Sequence, residues 1–201
     1  MIRADLHVHT KYSYDASINP KTIVEQLNAH PFIKAAAITD HNTLEGYYKT
    51  KELASAYKDI LIIPGTEITT PNGDLVILGT TEMPKEPWTI TSIIDFAKER
   101  DALIIAAHPY RAYGLGELAK QYKLDAIEVL NGTSTPIVNK LAEELAKEMG
   151  LPGIAGSDAH NSEELWTVFT EVQASLDVDE ILKSIKKGSV KVSSAKKSIH
   201  F

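Results

Sequence analysis

Imidazole and carboxylate side chains recur at matching points along this chain. His7 and His9 close the first short apolar run, and His41 closes the second. His108 follows the run at 103–107, and His160 lies just beyond the one at 153–156. Asp5 and Asp40 stand beside these histidines, Glu67 follows the third run, Glu128 lies in the sixth, and Asp158 comes two residues before His160. A lone histidine at a strand end is ordinarily a satisfied polar residue. His7-Val8-His9 says more, because positions i and i+2 of an extended chain face the same way and two imidazoles can reach one ion. Asp158-Ala159-His160 repeats that spacing. Buried charges need a partner, and for converging imidazoles and carboxylates the obvious partner is a divalent cation. Taken singly, Asp15 reads equally well as a turn residue and Glu67 as a strand-end surface charge. His30 and His200 fall outside the pattern and read as surface residues.

Such convergence asks for a scaffold whose strand ends meet. Short apolar runs at 2–6, 35–39, 61–63, 75–78, 103–107, 126–130 and 153–156, with a weaker one at 190–193, suit buried parallel strands. Helical patterns alternate with them. One begins at Pro20 after the N-cap candidate Asn19. Another follows Asn42 or Thr43 to about Lys58, and a third follows Thr91 or Ser92 to about Arg100. A fourth runs from Thr135 to Met149 before Gly150, and the last runs from Val178 to Lys187 before Gly188. The order predicts one α/β domain over residues 1–201, with right-handed crossovers and a sheet able to close into a barrel. In such folds the strand C-termini open on one side, where active sites form.

Composition narrows the chemistry. The chain has 201 residues, a net charge of −6 and no cysteine. Thiolate sites and disulfides are therefore excluded, and the ligands available suit zinc, manganese or iron. The acidic balance lacks the basic footprint of phosphate-backbone binding. No apolar run is long enough to span a membrane and no signal peptide precedes the first motif, so a cytoplasmic protein is expected.

The motifs, taken in order, resemble those of the PHP family, the polymerase and histidinol phosphatase superfamily. Asp5-Leu6-His7-Val8-His9-Thr10, with Ser13 and Asp15 after it, is similar to the first motif and Thr39-Asp40-His41-Asn42 to the second. Pro64-Gly65-Thr66-Glu67-Ile68 is similar to the glutamate motif, Ala107-His108-Pro109-Tyr110-Arg111 to the next, and Gly156-Ser157-Asp158-Ala159-His160 to the last. The resemblance implies a distorted TIM-like barrel of about seven β/α units. It also implies two or three divalent ions. His7, His9, Glu67 and Asp158 would hold one; Glu67 would bridge to a second shared with His108; Asp15, His41 and His160 would hold a third. Asp5 and Asp40 would orient ligating imidazoles, with Asp40 also a candidate for proton transfer. One departure stands out. Many members carry a further histidine near 75–79, and here the nearest substitute is Glu82.

The activity implied is hydrolysis of a small phosphate ester: a nucleotide, a nucleoside bisphosphate, an oligonucleotide end or histidinol phosphate. Metal-activated hydroxide would attack phosphorus, Arg111 would grip phosphoryl oxygens, and the third ion or His160 would stabilise the leaving oxygen. Glu128 and Asn131 receive no firm role, and Tyr12, Tyr14, Tyr110 and Tyr113 are candidates to line a pocket. Two other readings compete. A non-catalytic RNA-associated barrel would show basic patches and lost ligands. An amidohydrolase acting at carbon would carry a bridging lysine at a strand end. Nucleic acid enters only as a short substrate, and the sequence does not fix the oligomeric state.

Overall fold

The computed structural model describes residues 1–195, so His200 lies outside the described residues. The strands are β1 (Ile2–Val8), β2 (Ala35–Ile38), β3 (Leu61–Thr70), β4 (Gly73–Leu78), β5 (Leu103–Ala106), β6 (Ala126–Asn131), β7 (Gly153–Gly156), β8 (Val168–Val172) and β9 (Val190–Ser194). The helices are α1 (Pro20–Ala29), α2 (Glu45–Ala54), α3 (Ile90–Glu99), α4 (Pro136–Met149) and α5 (Val178–Lys186). Among the described residues they form one nine-stranded sheet in the order β7-β6-β5-β4-β3-β2-β1-β8-β9. It curls into a distorted, nearly closed barrel. Closure comes where the segment after β7 meets β1: Asp158 N donates to His7 O at 2.7 Å and His9 N to Ala159 O at 3.1 Å. Thr170 on β8 adds a side-chain link, its Oγ1 accepting from Ala155 N at 2.8 Å.

Strand period two separates inside from outside. Ala4, Leu6, Ala37, Ile63, Val76, Ile105 and Ile154 fill the interior. Leu75, Ile77, Ile104 and Ile127 face outward onto α3 and α4. Ala36, Ile38 and Ile62 face α1 and α2. The far end of the barrel is stoppered by α5, whose Ile181, Leu182 and Ile185 join the interior cluster, each contributing about 1.5–3 kcal/mol by burial.

The expected parallel pairing fails for the strands at 75–78 and 190–193, now β4 and β9. β4 runs antiparallel to both β3 and β5, because a short turn at residues 71–72 folds it straight back as a hairpin. β8, absent from the sequence reading, pairs antiparallel with β1 and with β9. Two helix starts also shift. Asn42 takes a left-handed conformation (φ 57°) and its side chain accepts from Thr69 N, so it cannot cap α2. α3 is capped by Thr89 rather than Thr91 or Ser92, with Ser92 closing a capping box.

Candidate metal centre

His7 and His9 face the open mouth of the barrel because β1 is irregular. Leu6 points inward and Val8 points outward to the helices, with a register shift between Asp5 and Val8. A bulge of this kind re-aims side chains beside a site, and here it turns both imidazoles over the mouth. Gly156 permits the close approach of β7: a Cβ there would lie 2.3 Å from the His7 Cβ. Asp158 (φ 53°) and His108 (φ 25°) hold left-handed backbone conformations, an uncommon arrangement outside glycine that is concentrated at functional sites.

Four buried donors meet at the centre. His7 Nε2 lies 3.0 Å from His9 Nε2 and 3.2 Å from Glu67 Oε2. His9 Nε2 lies 3.3 Å from Glu67 Oε2 and 3.2 Å from Asp158 Oδ1, and His7 Nε2 lies 3.4 Å from the same Asp158 oxygen. Ligands about 2.0–2.1 Å from a tetrahedral ion are about 3.3–3.4 Å apart by geometry, so this group has the dimensions of a cation cage.

Proton accounting says the same. Glu128 Oε1 accepts from His7 Nδ1 at 3.0 Å, which leaves the neutral ring with its Nε2 lone pair facing inward. The Ser13 hydroxyl donates to Asp40 Oδ1 at 2.8 Å, so it must accept from His9 Nδ1 at 2.9 Å. The His9 Nε2 lone pair therefore also faces the centre. Two lone pairs and two carboxylate oxygens converge on one point, and Asp158 Oδ1 is buried without a hydrogen-bond partner. An assembly of acceptors alone calls for positive charge. The titration shifts agree. Burial works to lower the His9 pKa, yet Asp158 and Glu67 push it up to about 9. Burial works to raise that of Glu67, yet His7, His9 and His108 hold it well below the usual carboxylate range.

Glu67 touches two further groups. His108 Nε2 lies 2.9 Å from Glu67 Oε1. His41 Nδ1 lies 3.4 Å from Glu67 Oε2, while His41 Nε2 and His160 Nε2 lie 3.5 and 3.4 Å from Asp15 Oδ2. His160 Nδ1 donates to the Asp158 carbonyl at 2.9 Å, which again frees Nε2. The eight side chains proposed as ligands thus form one cluster: His7, His9, Asp15, His41, Glu67, His108, Asp158 and His160. Above them opens a cavity of about 320 Å³, with Tyr14 and Tyr113 at its rim. Tyr110 instead bonds Glu117.

Other candidates are placed differently from expectation. Glu82 does not reach the centre; it is exposed and pairs with Arg100 at 2.8 Å. Asp74 stands there instead, forming with Glu67 and His108 a third set of converging donors. Residues 75–79 lead to the end of β4 that points away from the mouth, since that strand runs antiparallel. Asp5 touches no imidazole: it accepts from the backbone N–H groups of His7, Ser157 and Trp166, and burial pushes its carboxyl up to about 6. Asp40 is fully buried against Thr10 and Ser13 and does not line the cavity. His30 is half-buried and its Nδ1 accepts from Ile33 N at 2.9 Å, so it is not a free surface residue. Arg111 donates through Nη1 to Asp158 Oδ2 at 2.5 Å and to Thr133 Oγ1 at 2.6 Å, and it lines the cavity.

The PHP domain family model matches residues 5–127, and a PHP-associated model matches residues 136–190. This chain belongs to the PHP family. An uncharacterized protein of Methanocaldococcus jannaschii is 32% identical to it over 161 residues, covering 74% of this chain and 94% of that protein. Among solved structures, the PHP fold seen here resembles a two-domain protein of Bacteroides vulgatus containing a predicted PHP-like metal-dependent phosphoesterase. The TM-score is 0.81 at 19% identity, over 96% of this chain and 64% of that one. PsfC of Pseudomonas syringae shares the fold with a TM-score of 0.77 at 18% identity, over 98% of this chain and 94% of that one. The PHP-associated stretch brings Asp158 and His160 to the converging donor side chains of the PHP match. Among the described residues no helix is long and apolar enough to cross a membrane.

Proposed function

We propose that this chain is a metal-dependent phosphoesterase that hydrolyses small phosphate esters, and that residues 1–201 act as one unit in doing so. The observation that carries the reading is that two of three converging donor groups share the single carboxylate of Glu67 and the third reaches it through His41, beside an arginine, under an open cavity. Divalent ions held there would acidify water and draw charge from a phosphoryl group. Two or three ions fit the donor groups, and the mixed nitrogen and oxygen set suits manganese, zinc or iron.

The chain's own residues supply the rest. Arg111 is anchored through Nη1, which leaves its other donors to grip phosphoryl oxygens with geometry a lysine lacks. His160, at the cavity and with its proton on Nδ1, presents the Nε2 lone pair to an ion; to assist the leaving oxygen it would first have to take up a second proton on Nε2. Glu128 and Ser13 fix the tautomers of His7 and His9, and Asp40 acts through Ser13 as a positioning residue rather than in proton transfer. The cavity volume suits a phosphate group with a modest alcohol better than a polymer. The acidic composition also disfavours the RNA-associated reading, and a carboxylate at the bridging position disfavours the amidohydrolase reading.

The test is elemental analysis of the purified protein together with a panel of phosphate esters under added manganese or zinc. Wild type is expected to retain metal and hydrolyse at least one ester, and a His7→Ala, His9→Ala double variant to do neither. Equal hydrolysis by both proteins would overturn the reading.

A further inference from the structure

The donor groups around Glu67 are not chemically alike. His7, His9, Glu67 and Asp158 give two imidazoles and two carboxylates, each at most 2% exposed, at separations fit for a small ion. Glu67, Asp74 and His108 give one imidazole and two carboxylates, and both Asp74 and His108 line the open cavity.

Asp74 has no evident structural reason to be a carboxylate. It shares the inward face of β4 with Val76, one pleat nearer the mouth, and lies across from Thr69. It is only 4% exposed. Its Oδ1 is buried with no hydrogen-bond partner, and among the described residues no basic side chain forms an ion pair with it. Its position is held firmly, because its backbone N–H donates to Tyr113 O at 2.7 Å, and Gly73 lets the hairpin approach residues 114–115. A buried carboxylate without a counter-charge is costly. A rigid strand that aims one at a bridging glutamate and an imidazole has the makings of a cation ligand.

We propose that Asp74 is the third protein ligand of an ion shared with Glu67 and His108, and that this oxygen-rich position selects a harder, more exchangeable ion than the buried position does. Oxygen donors favour manganese and magnesium relative to zinc, whereas imidazole favours zinc. Any such site binds zinc more tightly than manganese in absolute terms, so the proposal concerns the ratio: zinc's advantage is smaller at Asp74 than at the buried group. The open cavity lets water complete the shell and lets the ion leave. The inference rests on the reading of the pocket as a metal centre and goes beyond it in giving the two positions different preferences.

The experiment is chelator-competition titration of wild type, Asp74→Asn and Asp74→His. Manganese is followed by electron paramagnetic resonance and zinc by elemental analysis. Wild type is expected to keep one ion through desalting and to bind a second, exchangeable manganese. Asp74→Asn should keep the first ion and bind the second at least about 100-fold more weakly, the upper end of what loss of even an outer partner costs. Asp74→His should regain the second ion with a zinc-over-manganese ratio raised at least about tenfold. Asp74→Asn with both affinities unchanged would overturn the proposal, as would Asp74→His with an unchanged ratio; either result would leave the esterase reading standing. Wild type that binds no ion at either position would overturn both. If Asp74→Asn fails to fold, judged by circular dichroism, the Asp74→His ratio decides alone.

Discussion

Replacing Glu128 with glutamine tests whether the charge and tautomer network, and not only the ligands, makes the centre. Glu128 is 1% exposed and uses both oxygens. Oε1 accepts from His7 Nδ1 at 3.0 Å, and Oε2 accepts from His108 N at 2.8 Å and Asn131 Nδ2 at 3.1 Å. A carboxamide has one acceptor end. If its oxygen replaces Oε2, its NH2 group faces His7, which must then accept through Nδ1 and carry its proton on Nε2. That proton would point at the cation position, where three other donor atoms already stand within 3.4 Å. If the carboxamide turns the other way, the N–H of His108 and the amide of Asn131 lose their acceptor. Leaving a buried donor unpaired costs about 1–3 kcal/mol. The less costly orientation should therefore weaken cation binding by about 1–3 kcal/mol, or roughly 5- to 150-fold. Chelator-competition titration measures the affinity, and long-range proton–nitrogen spectra of the zinc-loaded protein read which His7 nitrogen carries the proton. A Glu128→Gln protein that binds metal within about twofold of wild type and keeps the His7 proton on Nδ1 would refute the reasoning.

Three further outcomes are expected. Removing metal with a chelator should lower the urea midpoint, since an ion present at 100 times its dissociation constant stabilises by about 2.7 kcal/mol; superimposable curves with and without chelator would contradict this. Gly46→Ala should destabilise by about 1–3 kcal/mol or more, because the added Cβ would lie 1.8 Å from Asp40 Oδ2 and 2.4 Å from Thr10 Oγ1; thermal melting of the variant checks it. Arg111→Lys keeps a cation near Asp158 but loses the planar fork, and loss of a charged hydrogen bond worth about 1.5–3 kcal/mol should lower kcat/KM on a responsive ester by about 10- to 150-fold, measured by steady-state kinetics at fixed metal.

How far the sequence could be read depended on how local the signal was. The His7-Val8-His9 pair and Asp158-Ala159-His160 were visible because adjacent residues in extended chain set their own orientation. The same holds for α1, whose Asn19-Pro20 start and apolar spacing are short-range features. Strand direction is not local. Residues 75–78 read as a strand, but nothing within them says that the turn before them sends the chain back, and so no local signal favours Asp74 over Glu82 as the residue at the mouth. β8 was hidden for a related reason: its pairing with β1 joins residues some 170 positions apart, Ile2 opposite Val172. The orienting network was only partly legible. Ser13 stands beside its motif, but its three-way bonding to His9, Asp40 and the His41 backbone depends on segments that meet only in the folded chain.

The stopper formed by α5 gives the barrel a blind end. On the proposed function, arriving ester and departing product would share one opening, a doorway lined by Tyr14 and Tyr113. A small oxyanion released inside would compete with the next molecule for Arg111, and turnover would then depend on how quickly that doorway clears.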